Sequence, residues 1–270
     1  MTEPRQLHPE ILAYYSRGEE DGRLSDADGH SAAARLELLR TRDVLRRTLP
    51  APPARVLDVG GAGGVHSRWL RDDGYTTELL DPVPLHVEQA RAHGLTARHG
   101  DARELPVPDA AFDAVLLLGP LYHLPERADR VRALAEARRA VRPGGLVAAA
   151  AISRFAPLTD GLLKGQAYAP GRLARLLGHV RTGHLPDGRG GFTTAWFHEP
   201  ADLAAEFADA GLPGAVTRGL EGPAWLIGDM RERLDDPAAR ATVLTALRAV
   251  ETETALLGVS SHLLTTARAA

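Results

Sequence analysis

The chain has 270 residues, 44% hydrophobic and 25% charged, with a formal net charge of -3 and no cysteine. That length holds one α/β domain with an added lobe, and such a chain buries a sizeable core without disulfides or metals. The composition excludes thiolate nucleophiles and cysteine-based metal or redox sites, and the mild acidity gives no footprint for nucleic acid. No run of about 18 apolar residues appears, and no signal-peptide pattern stands at Met1, so a cytoplasmic protein is expected.

In chain order, Ile11, Leu12, Tyr14 and Tyr15 stand near helical spacing and predict a short amphipathic helix, followed by a loop through "SDADGH". Ser31 to Arg47 predicts a second helix, with Ala34, Leu38 and Leu45 along one stripe, and "PAPP" stops it. From Arg55 the pattern changes. "RVLDVG" reads as a strand, "VHSRWLRDDG" as a helix closed by Gly74, and "YTTELLD" as a second strand. "PLHVEQARAHG" is the next helix, "LTARHGD" a short strand, and "FDAVLLLG" an almost wholly apolar strand suited to the middle of a parallel sheet. A helix from "ERADRV" stops at "RPGG", and "LVAAAAI" is the fifth strand. Strands alternating with helices predict an α/β fold with a doubly wound sheet. After Ile152 the alternation breaks. Residues 155–200 are rich in Gly and Pro, with helical pieces near Thr159–Leu163 and Gly171–His179, and predict an inserted lid. "PADLAAEFADAG" and Asp235 to Val250 predict helices. "AVTRGLEG" and "SSHLLTTARA" predict a late hairpin at one edge, for seven mostly parallel strands in all. The expected divisions are a helical cap (1–50), a core (51–152), a lid (153–200) and the remainder of the α/β domain (201–270).

"VLDVGGAGGVHSRWL", Val56 to Leu70, carries the most information. A glycine-rich turn between strand and helix lets backbone approach a ligand and offers unpaired N–H groups. A dinucleotide loop wants G-x-G-x-x-G. Starting from Gly61 the third glycine would fall on His66, and starting from Gly60 the second falls on Ala62, so the dinucleotide pattern fails.

The stretch resembles motif I of the class I S-adenosylmethionine-dependent methyltransferases. Asp58, Gly60 and Gly64 match, and Ala62 sits where the middle glycine is common, with Gly61 keeping the loop permissive. The resemblance runs in order over about Arg55–Ile152. It implies a Rossmann-like fold and S-adenosyl-L-methionine as cofactor, with S-adenosyl-L-homocysteine as product. Asp81, followed by Pro82, falls where an acid accepts both ribose hydroxyls. Asp101 and Ala102 fall at the adenine amine and ring. "FDAVLLLGPLYHL" resembles the fourth-strand motif, whose end, with Leu118 and Gly119, faces the methyl group. "RPGG" is the usual turn before the fifth strand.

Methyl transfer needs alignment of an acceptor with the S–CH3 bond, and a base only where the acceptor loses a proton. His123 after the fourth strand and Tyr15 on the N-terminal helix are the candidate catalytic residues, as base, relay or substrate contact. Tyr14, Tyr122, His184, Trp196 and Phe197 are candidate substrate contacts. Phe192 and His198 belong to the same aromatic lid patch, "FTTAWFHEP", which suits a flat aromatic ligand. Glu19, Glu20 and Arg23 stand where they could close the cofactor pocket or form a solvated face. No H-E-x-x-H and no tight grouping of His with carboxylates appears, so no metal is expected.

The expected function is methyl transfer to a small molecule, without nucleic-acid or membrane partners, by a monomer or homodimer. The segments "YYSRGEEDGRL" and "GPLYHL" resemble actinobacterial natural-product methyltransferases, including those that methylate indole C3 of tryptophan-derived diketopiperazines to give pyrroloindolines. The alternatives are O- or N-methylation of another aromatic metabolite, a nicotinamide-dependent oxidoreductase, or a non-catalytic S-adenosylmethionine-binding protein.

Overall fold

The computed structural model describes residues 7–18, 24, 31–186 and 192–270. Glu19, Glu20 and Arg23 lie outside the described residues. Helix α1 (Pro9–Tyr15) precedes α2 (Ala32–Thr48), whose first turn is capped by Ser31 Oγ accepting from the Ala34 N–H at 3.1 Å. The core then alternates as β1 (Arg55–Val59), α3 (Val65–Asp72), β2 (Thr76–Asp81), α4 (Pro84–Ala92), β3 (Thr96–His99), β4 (Phe112–Leu117), α5 (Arg127–Ala140) and β5 (Val141–Ile152). The segment expected to form a lid holds α6 (Ala156–Leu163), α7 (Arg172–Thr182) and a ribbon of β6 (His184–Leu185) and β7 (Ala195–Trp196). The chain finishes through α8 (Pro200–Asp209), β8 (Val216–Gly219), α9 (Met230–Asp235), α10 (Pro237–Val250), α11 (Thr254–Leu257) and β9 (His262–Arg268).

Seven strands form one sheet in the order β3-β2-β1-β4-β5-β9-β8, with β1 to β5 parallel and β9 antiparallel to both of its neighbours. The apolar runs of β1, β4 and β5 occupy the centre because both faces there are covered, and Leu57, Leu116, Val147 and Ala148 are fully buried. Strand order reverses between β1 and β4, and open α/β sheets bind ligands beyond the strand ends at such a point.

Three local readings differ from the sequence pattern. Helix α5 ends at Ala140, and Val141 already pairs with Phe112, so "RPGG" is a bulged opening of β5 and not a turn before it. The helix expected over Asp235–Val250 is present as α10, capped by Asp236 at the Ala239 N–H (2.6 Å) with Pro237 as its first residue, and the sequence pattern missed the short α9 just before it. The β6–β7 ribbon, pairing His184 with Trp196, was not predicted, since two-residue strands carry no periodic signal. Among the described residues no helix is long and apolar enough to cross a membrane.

Candidate active site

The glycine loop after β1 is shaped by what surrounds it. Gly60 takes φ +69°, and a Cβ there would sit 2.7 Å from the Pro120 ring, so only glycine fits. Ala62 also takes a left-handed φ of 49°, uncommon for a residue with a side chain. That turn aims its N–H at Asp81 Oδ2, 2.9 Å away. Asp81 ends β2 and is buried. Its Oδ1 accepts from the Val83 N–H at 2.9 Å and from His86 Nδ1 at 3.0 Å. Loop, β2 end and α4 are thus tied together by one carboxylate, which forms the floor of a cleft of about 650 Å³.

Gly60, Ala62, Asp81, Pro82, Asp101, Ala102 and Gly119 line this cleft from the strand ends. Asp101 is held by Arg103, which donates to its carboxylate through the backbone N–H (2.8 Å), Nε (2.9 Å) and a terminal nitrogen (2.6 Å). One of the roughly four acceptor positions of that carboxylate is left over.

Asp58 lies elsewhere. It is fully buried beneath the loop, where a Cβ on Gly61 would come within 2.8 Å of its carboxylate, and it is not part of the cleft wall. Ser67 Oγ donates to its Oδ2 at 2.8 Å, while Oδ1 is buried without a partner. Burial, with a smaller contribution from the Asp81 charge, pushes its carboxyl up to about 6 from an ordinary 3.8, against the Ser67 hydrogen bond. Between those pH values the folded protein keeps a proton that the unfolded chain has lost, so this group lowers stability as pH rises through the window and adds nothing further above it. Asp58→Asn removes the titration. The stability of the variant relative to wild type is therefore expected to improve by about 2.5 kcal/mol between pH 4 and pH 8, read from urea melts at both pH values. A constant difference would exclude an elevated Asp58.

The cleft is roofed by Ile11 and Tyr15 of α1 and closed at one end by Tyr122 and His123, in a 3-10 turn (Pro120–His123) after β4. The Tyr15 hydroxyl lies 2.5 Å from His123 Nε2. The other imidazole nitrogen faces the Thr194 carbonyl at 3.4 Å, which assigns the proton to Nδ1 and leaves Nε2 to accept from Tyr15. Thr194 in turn donates to Glu10 at 2.8 Å, joining the lid to α1. Phe192 packs on this group, its ring centre 5.6 Å from His123 and 5.7 Å from Tyr14. Phe192 also lines a second and larger cavity of about 1420 Å³, over β5 and β9, between α2 and the lid helices.

The fold gathers the predicted residues unevenly. Tyr15, Tyr122 and His123 meet at the cleft, and Phe197 lines the second cavity. Tyr14 stacks against Tyr15 and Phe192 without reaching the cleft wall. Leu118 packs in the core beside β4. His184 sits in the β6–β7 ribbon, where its carbonyl accepts from His179 Nδ1 at 3.0 Å. Trp196 lies under the Arg130 guanidinium, 4.4 Å from its ring centre, and lines neither space. His198 is buried against Glu206. His86 was missed by sequence reading. Its signal was its place five residues after the acid ending β2, in the first turn of the next helix. Also unforeseen is the meeting of Glu37, Glu221 and His262 at the second cavity, with ligand atoms within 4.8 Å of one another. Glu221 Oε1 is 2.5 Å from His262 Nδ1 and its other oxygen accepts from Ser260 Oγ and the His262 N–H, so buried Glu221 and half-buried His262 fasten the segment after β8 to the start of β9. Linear spacing cannot show such a grouping.

A methyltransferase-domain family model matches residues 57–149. The ubiquinone biosynthesis O-methyltransferase of Xylella fastidiosa is 30% identical over 190 residues, covering 68% of this chain and 70% of that one. Its counterpart in Xanthomonas axonopodis pv. citri is 33% identical over 195 residues, covering 69% and 74%. Among solved structures, the complex between the Haloferax volcanii Trm112 methyltransferase activator and the putative methyltransferase matches at a TM-score of 0.58 and 20% identity, over 99% of both chains. A Thermotoga maritima S-adenosylmethionine-dependent methyltransferase matches at 0.57 and 17%, over 96% of this chain and 99% of that one. The chain belongs to the class I S-adenosylmethionine-dependent methyltransferases. It is an enzyme, its cofactor is S-adenosylmethionine, and its reaction is methyl transfer to a small molecule.

The cleft fits that cofactor on its own chemistry. A glycine-and-alanine turn whose Cβ-free approach is enforced by Pro120, and two carboxylates each with an acceptor position to spare, suit a ligand with hydroxyls and an aromatic amine.

Proposed function

We propose that the smaller cleft holds the methyl donor, that the larger cavity admits a small aromatic acceptor, and that Tyr15 and His123, in the wall of the cleft, take up the proton the acceptor releases. The observation that carries this reading is the 2.5 Å contact of the Tyr15 hydroxyl with His123 Nε2, in a cleft wall packed on Phe192. Gly60, Ala62, Asp81, Asp101, Ala102 and Gly119 would hold the donor, with Asp58 shaping the loop from below. When bound, S-adenosylmethionine supplies an electrophilic methyl group on a sulfonium, open to in-line attack by an electron pair of the acceptor. Tyr15 takes the proton the acceptor gives up while passing its own to His123 Nε2, and the Thr194 carbonyl faces the Nδ1–H of the resulting imidazolium. Phe192 and Phe197 supply apolar wall for the acceptor ring.

The finer reading is a bacterial secondary metabolite, with a tryptophan-derived diketopiperazine methylated at indole C3. There the indole C2–C3 π pair takes the methyl as its bond to sulfur breaks, the diketopiperazine amide nitrogen closes on C2 and returns the iminium pair to the indole nitrogen, and its N–H proton is the one Tyr15 removes. The aromatic group of Tyr14, Tyr122 and Phe192 beside a ready proton acceptor supports it. Incubation with methyl-labelled donor and a set of indole diketopiperazines, phenols and catechols tests it. Label on C3 with a new N–C2 bond by NMR supports the indole reading, and label on a phenol or catechol oxygen alone rejects it.

Asp81→Ala tests the donor placement. The change deletes the carboxylate that fixes the Ala62, Val83 and His86 donors and that faces the ligand. Affinity for S-adenosylhomocysteine is expected to fall by about tenfold or more by titration calorimetry. Unchanged affinity would remove the donor from this cleft.

A further inference from the structure

We infer that His86 is a second acceptor for the donor's ribose, taking one of the two hydroxyls that Asp81 cannot take. The inference rests on the donor placement proposed above, and it follows from counting. A carboxylate offers about four acceptor positions. Asp81 has spent three: Oδ2 on the Ala62 N–H, and Oδ1 on the Val83 N–H and on His86 Nδ1. One position remains, on Oδ2, and a ribose brings two neighbouring hydroxyls. The bidentate grip that an acid at the end of a second strand suggests is therefore not open to this one.

His86 lines the same cleft and is 3% exposed. Its Nδ1 is bound to Asp81 at 3.0 Å, and since a carboxylate only accepts, that nitrogen carries the proton. In the neutral ring Nε2 is then an acceptor, and it is buried without a hydrogen-bond partner. A buried acceptor left unpaired costs free energy unless a ligand supplies the donor. A ribose O–H supplies it. Each feature of the local sequence serves this arrangement. Pro84 starts α4 immediately after the strand, so that the first turn places residue 86 back over Asp81, and the Tyr15 ring packs edge-on against the imidazole at 5.4 Å. The two ribose hydroxyls are thus divided between an aspartate and a histidine that are themselves hydrogen-bonded.

Titration calorimetry with S-adenosylhomocysteine and its 2′-deoxy and 3′-deoxy analogues, on wild type and His86→Leu, tests this without any turnover. Wild type is expected to lose about five- to tenfold in affinity for each deoxy analogue. His86→Leu is expected to lose about the same for the parent ligand, to be indifferent to removal of one hydroxyl, and to stay sensitive to removal of the other. Parent affinity equal to wild type, or undiminished sensitivity to both deletions, overturns the inference. Thermal melts without ligand check that the variant folds. Should it not fold, 15N NMR of the wild-type histidines decides: the His86 Nε2 resonance is expected at an unprotonated position and to move on adding S-adenosylhomocysteine, and an unmoved resonance overturns the inference. Asp81→Ala separates the two levels. If it binds normally the donor placement itself fails, and if it binds weakly while His86→Leu does not, only the role of His86 fails.

Discussion

Tyr15→Phe is expected to lower turnover by about two orders of magnitude while S-adenosylhomocysteine affinity stays within about threefold of wild type. The substitution keeps the ring that packs edge-on against Tyr14 at 5.1 Å and His86 at 5.4 Å, and removes only the oxygen facing His123. His123→Ala removes the other half of the pair and is expected to cost about as much. Two groups that pass one proton act as a unit, so the double variant should fall little below either single one. Fully additive losses would mean that the residues act separately, as substrate contacts. Wild-type turnover in both singles would mean that the acceptor loses no proton to this wall. Single-turnover kinetics at saturating donor make the measurement, because product release then does not mask the chemical step.

The donor half of the proposed site could be read in the sequence for a physical reason. A parallel strand, a glycine turn and a helix occupy consecutive residues, so Gly60, Asp81, Asp101 and Gly119 stand at spacings that the chain's own geometry sets. The Tyr15–His123 contact joins residues 108 positions apart, and its members were named from where each segment should lie, not from any pattern linking them. The lid was the hardest to read. Aromatic content marked "FTTAWFHEP" as one patch, yet Trp196 at the end of β7 and Phe197 just beyond it face different surroundings. Phe197 accordingly meets the second cavity while Trp196 meets Arg130. His86 escaped notice because its value depends on how many donors Asp81 already holds, a quantity no linear motif records. The failed third glycine at His66 was sound evidence against a dinucleotide, and Ala62 keeps the loop's turn by adopting the left-handed backbone a glycine would have taken.

Arg130→Met is expected to destabilise the protein by about 3–5 kcal/mol, a large share of a domain's usual margin of about 5–15 kcal/mol. Arg130 is 1% exposed on α5. Its Nε donates to Glu206 at 2.8 Å, and a terminal nitrogen donates to the carbonyls of Leu124 and Pro125 at 2.8 and 2.7 Å. Glu206, also 1% exposed, is held below the usual carboxylate range: burial pushes it up, and the hydrogen bonds from His198 and Arg130 outweigh that. Removing the guanidinium leaves this charge buried beside His198, whose own proton affinity burial lowers. The companion variant Arg130→Met/Glu206→Leu takes away the stranded charge, so it is expected to recover much of the loss in urea melts, since apolar replacement of a whole buried pair is often neutral. It does not restore partners for the two carbonyls, which directly follow His123 in the chain. Turnover in the double variant should therefore stay below wild type after stability has largely returned, showing that Arg130 also positions the turn that carries His123. A double variant as unstable as the single one would mean that the carbonyl contacts, and not the Glu206 charge, dominate the energetics of this arginine.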